Sequence, residues 1–480
     1  MLQYTIKRLL LIPPTFFFVS LVIFLVLNIA PGRPGETDIA AQAGEKSDSA
    51  NQQESFRIFK EQFNLDKPIL LNWRFTLSQE DVRTLVVDAN NLFNETESQD
   101  RLSAQEDLDD YGNYLVRHLI SILKGDKDPE VRRLAAIYLV RASQRRFLSE
   151  RRADDIEAVR GINTRISKEN EAVKGWKWSR NASSDEIKSA TGHWLSWWEK
   201  KSSFYEYDFS EKLERFFFDT RFAKYWGNLI ALDLGVSTVD RRPVLSTIVS
   251  KLKYSLSLTL VSVLLAYLIA VPIGIYSAVR QNTFSDTSIT VMLFILYSLP
   301  TFFTGTVLLR LFSEGDPIGW FPTGGFESVD KIARTTLESF GDVMWHLVLP
   351  LATYTSVSLA ALSRYARAGV IEVIRADYIR TARAKGLHEF VVIMKHAVRN
   401  GMIPILTLLG SLLPVLVSGS VVIEVVFGIP GMGLYLFDAI NLRDYNAVMA
   451  VLIMASVLTL FGILVSDLSY AAVDPRISFD

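Results

Sequence analysis

The chain has 480 residues, 49% hydrophobic and 21% charged, so it is neither a uniform bundle of membrane spans nor an ordinary soluble domain. Its 51 basic and 52 acidic residues almost cancel, which argues against nucleic acid as a main partner. The absence of cysteine excludes disulfides, thiolate chemistry and cysteine-ligated metals.

In chain order, residues 9–30 form a continuous apolar run preceded by Lys7 and Arg8. A cleaved signal peptide usually has an apolar core of ~7–15 residues ending in small residues. This run reaches the ~20 residues of a spanning helix and ends in Asn28-Ile29-Ala30-Pro31-Gly32, without a convincing cleavage site. It reads as a retained first span (residues 1–31) with a cytoplasmic N-terminus. Pro13 and Pro14 are expected near its start, where missing N–H groups cost least.

From 32 to 253 charges of both signs, tryptophans and short amphipathic stretches replace the apolar runs, and nothing is long enough to span a bilayer. Aromatic content argues for a folded region rather than a linker, with Trp194, Trp197, Trp198, Phe216, Phe217 and Phe218 as core builders. Asp128-Pro129-Glu130 starts a helix, with Asp as N-cap and Pro at the first position. Val131, Leu134, Ala135, Tyr138 and Leu139 then share one face. The stretch DPEVRRLAAIYLV is similar to one helix of a HEAT-type repeat, without a second clear copy. The region reads as a mostly helical soluble domain.

Five further spans follow, over 254–278, 289–312, 343–362, 402–424 and 446–470. With the N-terminus inside, six spans return the C-terminus to the inside. Region 32–253 and the segment 313–342 then lie outside, and the short turn at 281–286 beside Arg280 lies inside. Parity agrees with the positive-inside rule, because the most basic loop, 364–401, also falls inside. There Arg364, Arg367, Arg375, Arg380, Arg383, Lys385, Lys395 and Arg399 face only Glu372, Asp377 and Glu389. Good helix formers over 377–385 stop at Gly386, which predicts a short cytoplasmic helix ending on a left-handed glycine. Further on, Glu424 to Gly433 reads EVVFGIPGMG; its glycines and proline predict a tight re-entrant turn rather than another helix. Glu424 is either a pathway carboxylate or a local cap, and the residues leave both open.

Other chemistry is excluded or weak. No G-x-x-x-x-G-K-[ST] loop exists, so the chain does not itself bind ATP in that way. His118, His193, His346, His388 and His396 lack ligand spacing and read as surface or interface residues.

Several of these stretches carry a family resemblance. DYIRTARAKGL from Asp377 and KHAVRNGMIP from Lys395 resemble the coupling loop of dipeptide/oligopeptide-type (nickel-type) ABC importer permeases. Aligned on Gly386, Arg380, Thr381 and Ala382 replace the general importer triplet Glu-Ala-Ala, a departure that is similar to the peptide-type branch. IKRLLLIPP, NIAPGRPGE, FNLDKP at 63–68, WGNL at 226–229, the EVVFGIPGMG turn and VDPR at 473–476 resemble further family segments. The resemblance covers 1 to about 75 and about 224 to the end, leaving 76–223 as an insert in the family's outer loop.

The resemblance implies an all-α membrane protein. Six transmembrane helices of the type I importer permease fold would carry a mostly helical extracytoplasmic insert, with 254–480 as the five-helix core. It implies an inner-membrane permease for peptides, with nickel, oligosaccharide, or a scaffold or sensor role for the outer domain as alternatives. Asp377, Tyr378, Arg380, Thr381, Ala382, Arg383, Ala384, Lys385 and Gly386 would dock on an ATPase. Glu424, Phe427, Pro430, Gly431 and Gly433 would form an external gate loop. Implied partners are a second homologous permease subunit, two cytoplasmic ATPase subunits that bind the ATP, a substrate-binding protein and the lipid membrane. No cofactor or metal of the chain's own is implied.

Overall fold

A computed structural model describes residues 2–29, 60–61, 64–93, 97–148, 155–315, 317–328, 335–402, 405 and 420–473. The chain divides into two compact units, one formed by 1–38 with 233–480 and the other by 39–232. The described secondary structure is helical apart from isolated bridges.

Helix α1, Leu2–Ile29, covers the first predicted span. It begins earlier than expected, so Pro13 and Pro14 lie in its interior rather than at its start. Gln3, Lys7 and Arg8 are good helix formers and extend the helix ahead of the apolar run.

Among its described residues the 39–232 unit carries eight α-helices: α2 Gln79–Asn90, α3 Ser98–Tyr111, α4 Val116–Gly125, α5 Pro129–Ala142, α6 Ile156–Lys174, α7 Ser184–Lys201, α8 Phe209–Phe218 and α9 Arg221–Ile230. Their starts are chemically marked. Ser78 with Asp81, Ser183 with Glu186 and Asp208 with Glu211 form reciprocal capping boxes. The Asp128 carboxylate accepts from the amides of Glu130 at 2.7 Å and Val131 at 3.3 Å, as the sequence predicts. The expected face of α5 is buried, and it packs with Val82, Val86, Leu115, Leu119, Ile120 and Trp194. Trp194 is fully enclosed; its indole N–H donates to the Trp176 carbonyl at 2.8 Å. The three phenylalanines of α8 depart from expectation. That helix buries no residue, Phe217 and Phe218 are exposed, and Phe216 meets Trp73 edge-on at 4.6 Å.

The two ends of this unit are clasped together. Arg221 and Phe222 amides donate to the carbonyls of Pro68 (2.9 Å) and Ile69 (3.1 Å), and the Asn72 amide donates to Phe216 (3.0 Å). Asp219 pairs with Lys67 and accepts from Tyr114 Oη at 2.6 Å. Buried Asn72 donates to Tyr114 at 2.9 Å, closing the network.

The other unit continues with α10, Val244–Val279; α11, Phe284–Ser298; α12, Thr301–Phe312; α13, Thr336–Ile374; and α14, Asp377–Ala384. After the coupling region come α15, Val421–Phe427; α16, Met432–Asn441; and α17, Tyr445–Val473. Helices α1, α10, α13 and α17 are each long and apolar enough to cross a membrane. Leu10, Phe18, Leu264, Leu268, Met292 and Ile295 stand exposed, as side chains do that meet lipid or another helix. Helix α10 starts at Val244, ahead of the expected border at 254.

The stretch expected to span over 289–312 is sharply bent: α11 and α12 meet at 99°. Leu299 is extended because a residue before proline is pushed out of the α region, and Pro300 opens the next helix. The span expected over 402–424 lies mostly outside the described residues, as do NIAPGRPGE beyond Ile29, Phe63 and the VDPR segment beyond Val473. Helix α13 has 39 residues, about 58 Å at ~1.5 Å per residue, against ~30 Å of hydrocarbon. It runs on past any span into the coupling region and packs most extensively against α10.

Candidate functional site

The region expected to couple, 377–401, has a small core of its own. Helix α14 begins after extended Ala376, with Asp377 in its first turn, where a carboxylate suits the helix N-terminus. Ile379 and Ala382 point inward and pack on Val392 and Ala397, with Val373 and Ile374 of α13 alongside. Val392 and Ala397 belong to the return segment 389–401, whose middle, Val392–Val398, is π-helical. Local π-turns often mark functional sites. Arg383 grips Glu389 with two hydrogen bonds, at 3.1 and 2.6 Å, and holds that carboxyl below its usual range. Asn400 donates to the Tyr378 hydroxyl at 3.1 Å.

Gly386 has φ +77°, the left-handed position expected of it. A Cβ there would touch nothing, so a side chain would cost only conformation, ~1 kcal/mol. Asp377, Tyr378, Arg380, Thr381, Arg383, Ala384, Lys385 and Gly386 are all exposed, while Ala382 is buried. The result is a braced, basic surface, continued by exposed Leu387, Phe390 and Met394. A basic and apolar face of this kind suits a groove on another protein.

A second constellation lies at α15 and α16, which meet at 85°. Here the expected turn is confined to 428–431. Glu424 and Phe427 are still helical, and another helix starts at Met432, against the expectation of no further helix. Gly428 takes φ +63° and ends α15, whereas Pro430 can follow because a helix end no longer needs its amide. Glu424 is fully buried. Its carboxylate accepts from Ser255 Oγ of α10 at 2.7 Å and from the Leu434 amide at 3.0 Å, while Ser255 accepts from the Met432 amide at 2.7 Å. Glu424 therefore caps the N-terminus of α16 across the corner. A Cβ on Gly431 or Gly433 would fall 2.5 or 3.0 Å from that carboxylate, so the close approach requires both glycines. Phe427 is buried beneath Gly305 of α12, and its carbonyl accepts from the Gly325 amide at 2.8 Å.

A third group was not singled out from the sequence. Asp286, buried at the start of α11, accepts from Arg367 Nε and Nη2 of α13, both at 2.9 Å, and from the Asn282 amide at 3.0 Å. It also accepts a hydrogen bond from Ser277 at the end of α10. The available signal was Thr283 followed three residues later by a carboxylate, a helix-start pattern. Among the described residues no group of three or more histidines and carboxylates is placed to hold a metal.

These features describe a multi-helix protein with helices apolar enough to cross a membrane and a structured basic loop. Residues 270–479 match the family model of the binding-protein-dependent transport system inner membrane component. The oligopeptide transport system permease protein AppB of Bacillus subtilis is 39% identical over 260 residues, 54% of this chain and 80% of that protein. The glutathione transport system permease protein GsiC of Escherichia coli K12 is 35% identical over 260 residues, 54% of this chain and 79% of that one. A putative peptide permease protein of Brucella ovis is 38% identical over 230 residues, 48% and 70% of the two chains. The chain belongs to this family of ABC-importer permease subunits.

Proposed function

We propose that the chain is the permease subunit of an ATP-driven peptide importer, and that 377–386 is the element through which cytoplasmic ATPases move it. The observation that carries this is the coupling region itself: a short basic helix held on a private core, with its docking-sized face exposed. A loop that merely oriented the protein would need no core. The relatives named for oligopeptides and glutathione support peptides as cargo over nickel or oligosaccharide. The chain brings no phosphate-binding loop, so hydrolysis belongs to its partners. A second permease subunit would complete the pathway and an external binding protein would deliver cargo.

In this reading six spans put both termini and the coupling region in the cytoplasm, and the insert outside. The 85° corner at Glu424, Phe427, Pro430, Gly431 and Gly433 frames the external gate. Residues 76–223 form an added domain. Its clasped ends support this, since loop closure is nearly free when the ends already meet. A length of 480, against about 325 for the Bacillus relative (260 residues being 80% of it), supports it too.

The test is co-purification. The native chain should carry an ATPase subunit with it. Ala384→Asp, on the exposed face, should lose that subunit while inserting normally; Ala382→Asp would instead disrupt the loop's own core. An ATPase retained in full by Ala384→Asp would remove the docking role from this helix.

A further inference from the structure

We propose that the Asp286–Arg367 pair is the strut that carries movement of the coupling region into the bent helix pair α11–α12. The inference rests on the coupling reading above and adds positioning residues to it.

Arg367 lies on α13, ten residues before the coupling helix begins at Asp377. Three elements converge on this stretch of α13. Helix α10 is pressed against it at Gly274, where a Cβ would fall 2.5 Å from Ala366 Cβ and from the Ser363 carbonyl. The return segment is pressed against it at Gly401, whose neighbour is Gly369, with equally little room. Helix α11 is joined to it by the two-pronged Arg367–Asp286 bond. Asp286 also fastens the end of α10 and the intervening turn, through Ser277 and Asn282.

The geometry of the bond suits transmission of force. A guanidinium fork on a carboxylate fixes orientation as well as distance, and Asp286 is buried while Arg367 stays partly exposed, so water reaches the pair only from the arginine side. A displacement of α13 at the coupling region therefore drags the inner end of α11. From there the path continues through the bend at Pro300 to α12, and from Gly305 of α12 to Phe427 beside the Glu424 corner. A rigid strut at one end and a tight contact at the other let a cytoplasmic push reach the opposite corner. If the pair only stabilised the fold, replacing both partners by neutral ones would leave transport per ATP unchanged.

The experiment uses the assembled importer in proteoliposomes, with an environment-sensitive dye on Ser298→Cys at the outer end of α11. The cysteine-free chain makes that label unique in this subunit. The readouts are ATP hydrolysis, the dye's response to vanadate trapping, and uptake of a radiolabelled pentapeptide mixture. Asp286→Asn combined with Arg367→Gln leaves no unpaired buried charge, which avoids the misfolding expected of a single neutralisation. It should keep its ATPase partners and hydrolyse ATP, but lose the dye response and at least tenfold of uptake per ATP. Arg367→Lys, keeping charge but not the fork, should recover part of both. The strut is overturned if the double variant shows the native dye response and native uptake per ATP, or if it cannot assemble at all, which would make the pair purely structural. A native complex that carries no ATPase would instead sink the coupling reading, before any strut variant is made.

Discussion

At the residue scale, the structure shows what Glu424 bonds to, which the sequence leaves open. A carboxylate near apolar helices is either exposed to a pathway or satisfied locally. Here the carboxylate accepts from the Leu434 amide of the corner and from the Ser255 hydroxyl of α10. Glu424→Ala would strand the Leu434 amide and the Ser255 hydroxyl, costing about 1–3 kcal/mol. Glu424→Gln keeps an acceptor for Leu434 and should cost less. Gly431→Ala forces a methyl group against the carboxylate and Ser255, an overpacking worth about 1–3 kcal/mol. Heating the purified permease in detergent and measuring the fraction that stays monodisperse should rank the variants native, Gln, then Ala. Native heat resistance in Gly431→Ala would show that the corner can relax, and that the glycine is not there for space.

At the element scale, the clasp that closes the insert is sensitive to acid. Burial raises the Asp219 carboxyl, but Lys67 and the Tyr114 hydroxyl lower it further, so its pKa lies below the ordinary carboxylate value. A group depressed in the folded state stabilises it above the unfolded pKa of ~4, and this stability is lost as pH falls through the folded value. Hydrogen exchange at the Arg221 and Phe222 amides reads the clasp directly. Asp219→Asn should reduce their protection roughly ten- to a hundredfold at neutral pH, from a loss of about 1.5–3 kcal/mol, and should flatten its decline in acid. Equal protection in the variant would mean that the backbone pairs hold without the ion pair. This clasp was not legible in the sequence, because Lys67 and Asp219 are too far apart in the chain for any local pattern to connect them. Local rules read α5 correctly, since Asp128-Pro129 and one apolar face act within a few residues. They read the Gly386 stop for the same reason. Apolar length, however, averages over Pro300 and hides a right-angled break. It also cannot say whether a phenylalanine faces inward, which is why Phe217 and Phe218 were misplaced. The exposed and buried faces of the coupling helix likewise follow from a partner, Val392 and Ala397, that only folding brings near.

At the scale of the whole molecule, the chain is a permease of this family, and in the proposed reading residues 76–223 are a domain set into its outer loop. Joining Trp73 to Phe216, whose rings already touch, removes all but the last residues of the insert and keeps the clasping hydrogen bonds on either side. The shortened protein should still enter the membrane and bind its ATPase partner; failure to insert would mean that the domain is integral to the core. The central claim is that the coupling region faces the cytoplasm and the insert the outside, and one labelling measurement tests it most directly. Ser184 in the insert and Lys385 in the coupling region are both exposed, and no native cysteine competes with a cysteine placed at either position. With an impermeant thiol reagent on intact cells, Ser184→Cys should react at once and Lys385→Cys only after permeabilisation. Labelling of Lys385→Cys from outside, with Ser184→Cys protected, would contradict the account.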